Sequence, residues 1–240
     1  MAGNGDPVLG VDGCPGGWVG ALVHGRTVEW LILADAAAIL AVDATVIAID
    51  IPIGLPEPDA VPVPAACRRR ADYEAKAFLQ RWSAANSVFF TPVRPILDAP
   101  TYDEANALSR RITGMGLSRQ TWNITDRIAA VDAALGAPPD ARVIEVHPEV
   151  SFRLLDERID MSKKTARGVG QRIAALSVCF DMTDALRDVP AGPRLDDCLD
   201  ACAATWSAQR WLAGTARVFG AGPDGAIAND TRRRPMRIVA

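Results

Sequence analysis

The sequence predicts an α/β fold built on a mixed sheet, on three observations. Three short β-prone runs follow one another near the start, at 8–11, 18–23 and 28–33. Apolar runs recur at 46–50 and within 141–149, the pattern of buried strands. Segments with helical spacing lie between and after them, the last running from about Leu195 to Ala213.

Each element has its own reason. The first three runs are separated by the turn-rich CPGG and HGR segments, which gives an antiparallel meander. A helix is expected from about Asp35, where alanines with Ile39 and Leu40 make one apolar face; the buried strand at 46–50 then completes a βββαβ order. The stretch DIPIGLPEPDAVPVP is too rich in proline for a helix or a central strand and reads as a long loop. Helical patterns follow at about 68–81, 101–111 and 120–135, separated by NSVFFTPVRP and TGMGLS. The chain then returns to a buried run, ARVIEVHPE at 141–149, so residues 55–140 are expected to be a helical insertion within a single domain spanning 1–240. A helix near 169–186, a polar proline-containing loop and the closing helix complete the chain.

A length of 240 residues with 49% hydrophobic content suits one generous domain with a substantial core. No apolar stretch approaches the roughly 20 residues of a membrane helix, and the start, MAGNGDPVLGVDG, lacks a signal-peptide pattern, so a cytoplasmic protein without membrane contact is expected. The five cysteines, at 14, 67, 179, 198 and 202, include no CxxC pair and read as reduced thiols rather than as a disulfide framework or zinc ribbon. A net charge of −3 gives no global attraction to polyanions. Nucleic-acid contacts would have to come from local basic groups: Arg68, Arg69 and Arg70, Lys163 with Lys164, or Arg232 to Arg234. The alternative for each is a solvated face.

The chemistry concentrates in carboxylates. Asp12 ends the first apolar run between Gly10 and Gly13, where the backbone is free to turn tightly, and Asp50 ends the run VIAID in the same way. Two buried strands ending in Asp place acids on one sheet edge, whereas a lone strand-end Asp would more simply cap a turn. Asp197 and Asp200 open the closing helix three residues apart and can aim at one point; Asp196 is four from Asp200 and fits the spacing too. Helix-dipole stabilisation is the competing explanation. Two strand-end acids with helix-borne acids are what a two-metal phosphoryl-transfer site needs, since ions roughly 4 Å apart require oxygens from separate elements. Glu145 and Glu149 flank His147 in EVHPE, a cluster suited to ligating metal or moving protons. Ser118 and Gln120 start a helix after a glycine-rich loop, where a phosphate could be received, or Ser118 simply caps that helix. The chain has no GxxxxGK[ST] loop, nucleophile elbow or HExxH helix.

The strings VLGVDGCPGGW, AIDIPIGLP, SVFFTPVR, TGMGLSRQTW, VIEVHPEVSF, SKKT and DDCLDACAATW resemble domain-of-unknown-function family 429, described as predicted RNase H-like nucleases, over about 8–230. The resemblance implies an RNase H-like mixed five-stranded sheet flanked by helices, with the helical insertion inside it. Asp12 matches the first-strand carboxylate of the resolvase-type pattern, Asp50 the fourth-strand carboxylate, and DCLDA at 197–201 the D-x-x-D-A of the closing helix. The chain departs from that pattern in carrying Asp rather than Glu on the fourth strand and in adding EVHPE.

The expectation is therefore a metal-dependent nuclease cleaving phosphodiesters. Asp12, Asp50, Asp197 and Asp200 would hold Mg²⁺ or Mn²⁺, with Glu145 assisting. Candidate substrate contacts are Arg68, Arg69, Arg70, Ser118, Gln120, His147, Lys163 and Lys164. The alternatives are an actin-like nucleotide-binding or phosphotransferase protein and a non-catalytic nucleic-acid-binding module. A homodimer is left open.

Overall fold

The structure, a computed structural model, describes residues 5–58 and 67–240; the second half of the expected proline-rich loop, within 59–66, lies outside them. In chain order the principal elements are β1 (Val8–Cys14), β2 (Gly17–His24), β3 (Thr27–Leu33), α1 (Ala36–Leu40), β4 (Val46–Ile49), α2 (Arg70–Leu79) and α3 (Tyr102–Thr113). They continue with α4 (Arg119–Trp122), α5 (Thr125–Ala134), β5 (Val143–Glu145), α6 (Pro148–Leu155), α7 (Ala166–Leu176), α8 (Met182–Arg187) and α9 (Leu195–Leu212).

The described residues form two compact units, one within 5–51, 141–217 and 239–240, the other within 52–58, 67–140 and 218–238. The first holds the expected mixed five-stranded sheet, in the order β3-β2-β1-β4-β5. The meander β1-β2-β3 is antiparallel, and β4 and β5 add in parallel on the far side of β1. Asp35 caps α1 by accepting from the Ala38 N–H at 2.8 Å.

Helix α9 lies on the β1–β4 face and is the centre of the core. Its inward residues Cys198, Ala201, Cys202, Ala204 and Ala208 are small and fully buried. Gly10 lets it come close: a Cβ there would stand 2.2 Å from both the Ala201 carbonyl oxygen and the Thr205 nitrogen. Thr205 then fixes the contact by donating to the Ala21 carbonyl at 2.8 Å. The continuous helix expected near 169–186 is two helices, because the chain turns at Ser177–Asp181, where Arg26 binds the Ser177 and Val178 carbonyls at 3.0 and 2.7 Å.

The second unit contains α2 to α5 and a buried ionic network. Arg94 bonds Glu57, Asp132 and Asp230, and Arg234 also bonds Asp132. The Asp230 carboxylate accepts the Leu55 N–H at 3.1 Å. This network revises one expectation: Arg234 is 1% exposed and bound to Asp132, and Arg232 is paired to Asp132 at 2.6 Å, so of the basic run Arg232 to Arg234 only Arg233 stands outside the network. The expected helix at 120–135 is broken into α4 and α5, and Ser118 caps α4 through the Thr121 N–H at 3.0 Å.

The approach at Gly10 gives a direct prediction. Gly10→Ala forces a backbone shift and lowers stability by about 1–3 kcal/mol or more. Gly170→Ala, on α7 with nothing within 4 Å of the added carbon, leaves stability unchanged or raises it by about 0.5–1 kcal/mol. Urea unfolding of the two variants checks both; equal effects would remove Gly10 from its role.

Candidate active site

Strand periodicity decides which side chains meet. Residues 8, 10, 12 and 14 of β1 share one face, and Val8 and Cys14 belong to the core that contains α9. Val46 and Ala48 of β4 face the same core, in parallel register with Val8 and Gly10. Asp12 and Asp50 are the next pair in that register, and the Asp50 N–H still donates to the Val11 carbonyl at 3.0 Å. Asp200 comes from α9, one residue before the Ala201 that abuts Gly10. The close helix–sheet contact thus carries the third carboxylate to the first two.

Burial and mutual charge set their protonation. Asp12 is held well above the usual carboxylate range by burial first and then by the charges of Asp50 and Asp200. Asp50 is pushed up to about 7 by burial, against the opposing pull of Lys163 and of a hydrogen bond with the Asp12 side chain. Asp200 is raised to about 6 by burial, with Lys163 opposing and Asp50 and Glu149 adding to the rise. The Lys163 ammonium sits 2.6 Å from Asp200 Oδ2 and 3.8 Å from Asp196 Oδ2. Burial works against its charge, but Asp200, Asp12 and Asp196 outweigh it and hold the amine protonated.

The remaining expected residues separate. Asp197 influences Asp12 by charge, but its carboxylate also accepts the Arg194 N–H at 2.9 Å in a helix-capping arrangement. Glu145 is buried on β5 between Ile144 and Val146, both on the α9 side, and pairs in register with Ile49. Alternation therefore directs it to the opposite face from Asp12 and Asp50, and it is not brought into the cluster. His147 stands at the start of α6, where its carbonyl accepts from the Val150 and Ser151 N–H groups. Lys164 is exposed. In the second unit Arg68, Ser118 and Gln120 line a cavity of about 260 Å³ with Phe89, Phe90 and Met115. Arg69 corrects an expectation: it is buried, bound to Asp72 at 2.6 Å and to the Gly54 carbonyl at 3.1 Å, so it is a structural strut rather than a substrate contact. Arg70 is exposed and bonds Glu74 at 2.7 Å.

Two features escaped sequence reasoning. Glu149 is neutralised by Arg153 at 2.6 Å and Arg172 at 2.7 Å; the first pair has a visible i,i+4 spacing, the second none. The placement of Lys163 inside the cluster carries no local signal either. All five cysteines are free, and burial pushes the Cys198 thiol up to about 12 and so keeps it protonated.

The fold and site define a protein with an acidic cluster at the carboxyl edge of a mixed α/β sheet. The chain belongs to the family described as "Protein of unknown function (DUF429)", whose model matches residues 10–225. No curated protein and no solved structure matches it.

The raised carboxylates predict a pH dependence with a definite sign. The folded state keeps protons that unfolded carboxylates release near pH 4, so the contribution of Asp50 and Asp200 to metal-free stability falls as pH rises from about 4 to about 7. Asp50→Asn removes the penalty and stabilises the metal-free protein at pH 8 by on the order of 2 kcal/mol, about 4–8 °C in Tm at this chain length. The gain disappears at pH 4. A variant that is less stable than wild type at pH 8 would contradict this origin of the shifts.

Proposed function

We propose that this chain is a metal-dependent nuclease of the RNase H-like kind, hydrolysing phosphodiester bonds in nucleic acid. The observation that supports it most is the meeting of Asp12, Asp50 and Asp200 from β1, β4 and α9, on top of the sequence resemblance.

The donor set fits Mg²⁺ or Mn²⁺ in chemistry, since it consists of hard carboxylate oxygens and the neighbouring Cys198 thiol stays protonated. Among the described residues no acidic, histidine or cysteine side chains are already set as a three-ligand cage. In this arrangement Asp12 and Asp50 are hydrogen-bonded to each other, and Asp200 is bonded to Lys163. Asp12, Asp50 and Asp200 are the residues that would hold the ion, with Asp197 nearby. A bound divalent cation would supply positive charge against the reacting phosphate and its leaving oxygen. The chain itself contributes a cluster that is costly to ionise bare and is therefore relieved by a cation. The Asp12–Asp50 pair holds a proton near neutrality, and Lys163 fixes the orientation of Asp200.

The test is incubation with single-stranded, duplex, hybrid and branched nucleic acids in Mg²⁺ or Mn²⁺, beside an ATP-hydrolysis control. The expected result is metal-dependent cleavage of at least one substrate, lost by orders of magnitude in Asp200→Asn while the melting temperature is kept. ATP turnover without nucleic-acid cleavage would replace this reading with the nucleotide-binding one. A metal-induced rise in melting temperature without any turnover would replace it with a binding module.

A further inference from the structure

Lys163 is held in the cluster by a braced loop. The Met161 carbonyl accepts from the buried Arg172 at 3.0 Å, and the Met161 N–H donates to Gln171 at 3.2 Å. The Ser162 carbonyl accepts from the Thr165 hydroxyl at 2.9 Å. Gly168 permits the packing, because a Cβ there would lie 2.1 Å from the Ser162 carbonyl oxygen. The lysine therefore follows a fixed backbone into the carboxylates, where its ammonium meets Asp200 Oδ2 at 2.6 Å.

Charge then limits what else the site can take. Glu149 is already matched by Arg153 and Arg172, and Asp197 is engaged at the Arg194 N–H. Asp196 is more than a third exposed and 3.8 Å from the ammonium. The innermost groups are three carboxylates and one ammonium, a net charge of two negatives when all are ionised. One divalent ion neutralises that; a second would leave two positive charges in a partly buried site, close to the ammonium, on an oxygen that Lys163 already occupies.

We propose that Lys163 is a built-in cation standing in for a second metal ion, so that the cluster takes a single divalent ion at Asp12, Asp50 and the second carboxylate oxygen of Asp200 while Lys163 holds Asp200 Oδ2. This deepens the nuclease reading and rests on its assignment of the carboxylates. Lys163 acts through Asp200 and is a positioning residue.

The experiment is calorimetric titration of the full chain with MnCl₂, with bound ion also counted by Mn²⁺ paramagnetic resonance. The proteins are wild type, Lys163→Met, Lys163→Arg and Asp12→Asn. Wild type is expected to bind one Mn²⁺ per chain. Lys163→Met should bind a second ion, or the first at least tenfold more tightly, because the competing charge is gone. Lys163→Arg should keep the count of one, and Asp12→Asn should lose it. A wild-type count of two overturns the inference while leaving the metal site in place, and it does so even if Lys163→Met fails to fold. Unchanged count and affinity in a folded Lys163→Met also overturn it. If wild type binds no Mn²⁺ at all, the metal-dependent reading falls and this inference falls with it.

Discussion

Much of the first unit depends on one close approach, that of α9 to β1 over Gly10. Helices normally pack on sheets through the bulk of their side chains, but here the backbone around Ala201 and Thr205 lies where a Cβ of residue 10 would be. Small residues along α9 and a glycine on the strand are what make this possible, and Thr205 locks it through the Ala21 carbonyl. The approach buries the core of the unit and, one residue earlier on the helix, delivers Asp200 to the strand-end acids.

The cost of that delivery is electrostatic. Burial resists the ionisation of these carboxylates and raises Asp50 to about 7 and Asp200 to about 6, with the charge of Asp50 adding to the rise of Asp200. The molecule relieves the strain by a hydrogen bond between Asp12 and Asp50 and by the Lys163 ammonium on Asp200. Both devices lower the cost of holding three carboxylates together, a role that the proposed divalent ion would extend.

The sheet and its carboxylates were legible in the sequence because they follow short-range rules. Continuous apolar runs marked β1 and β4, the ends of those runs marked Asp12 and Asp50, and the three-residue spacing marked Asp200 with Asp197. What was not legible depends on pairing across long separations. Glu145 looked like a site residue because it flanks His147 with Glu149 in EVHPE, yet the register of β5 beside β4 turns it to the other face. Arg69 and Arg234 looked like surface charge because their partners, Asp72 apart, are distant in the chain or are backbone carbonyls. Lys163, 37 residues from Asp200, gave no sign of its position in the cluster.

The most direct test of the proposal that Asp12, Asp50 and Asp200 hold a cation is crystallographic. Crystals grown with Mn²⁺ and measured at the manganese absorption edge should show one anomalous peak at the cluster, within about 2.0–2.4 Å of oxygens from Asp12 and Asp50, with Lys163 still on Asp200. No peak at the cluster, with Mn²⁺ found only at surface carboxylates, would contradict the account.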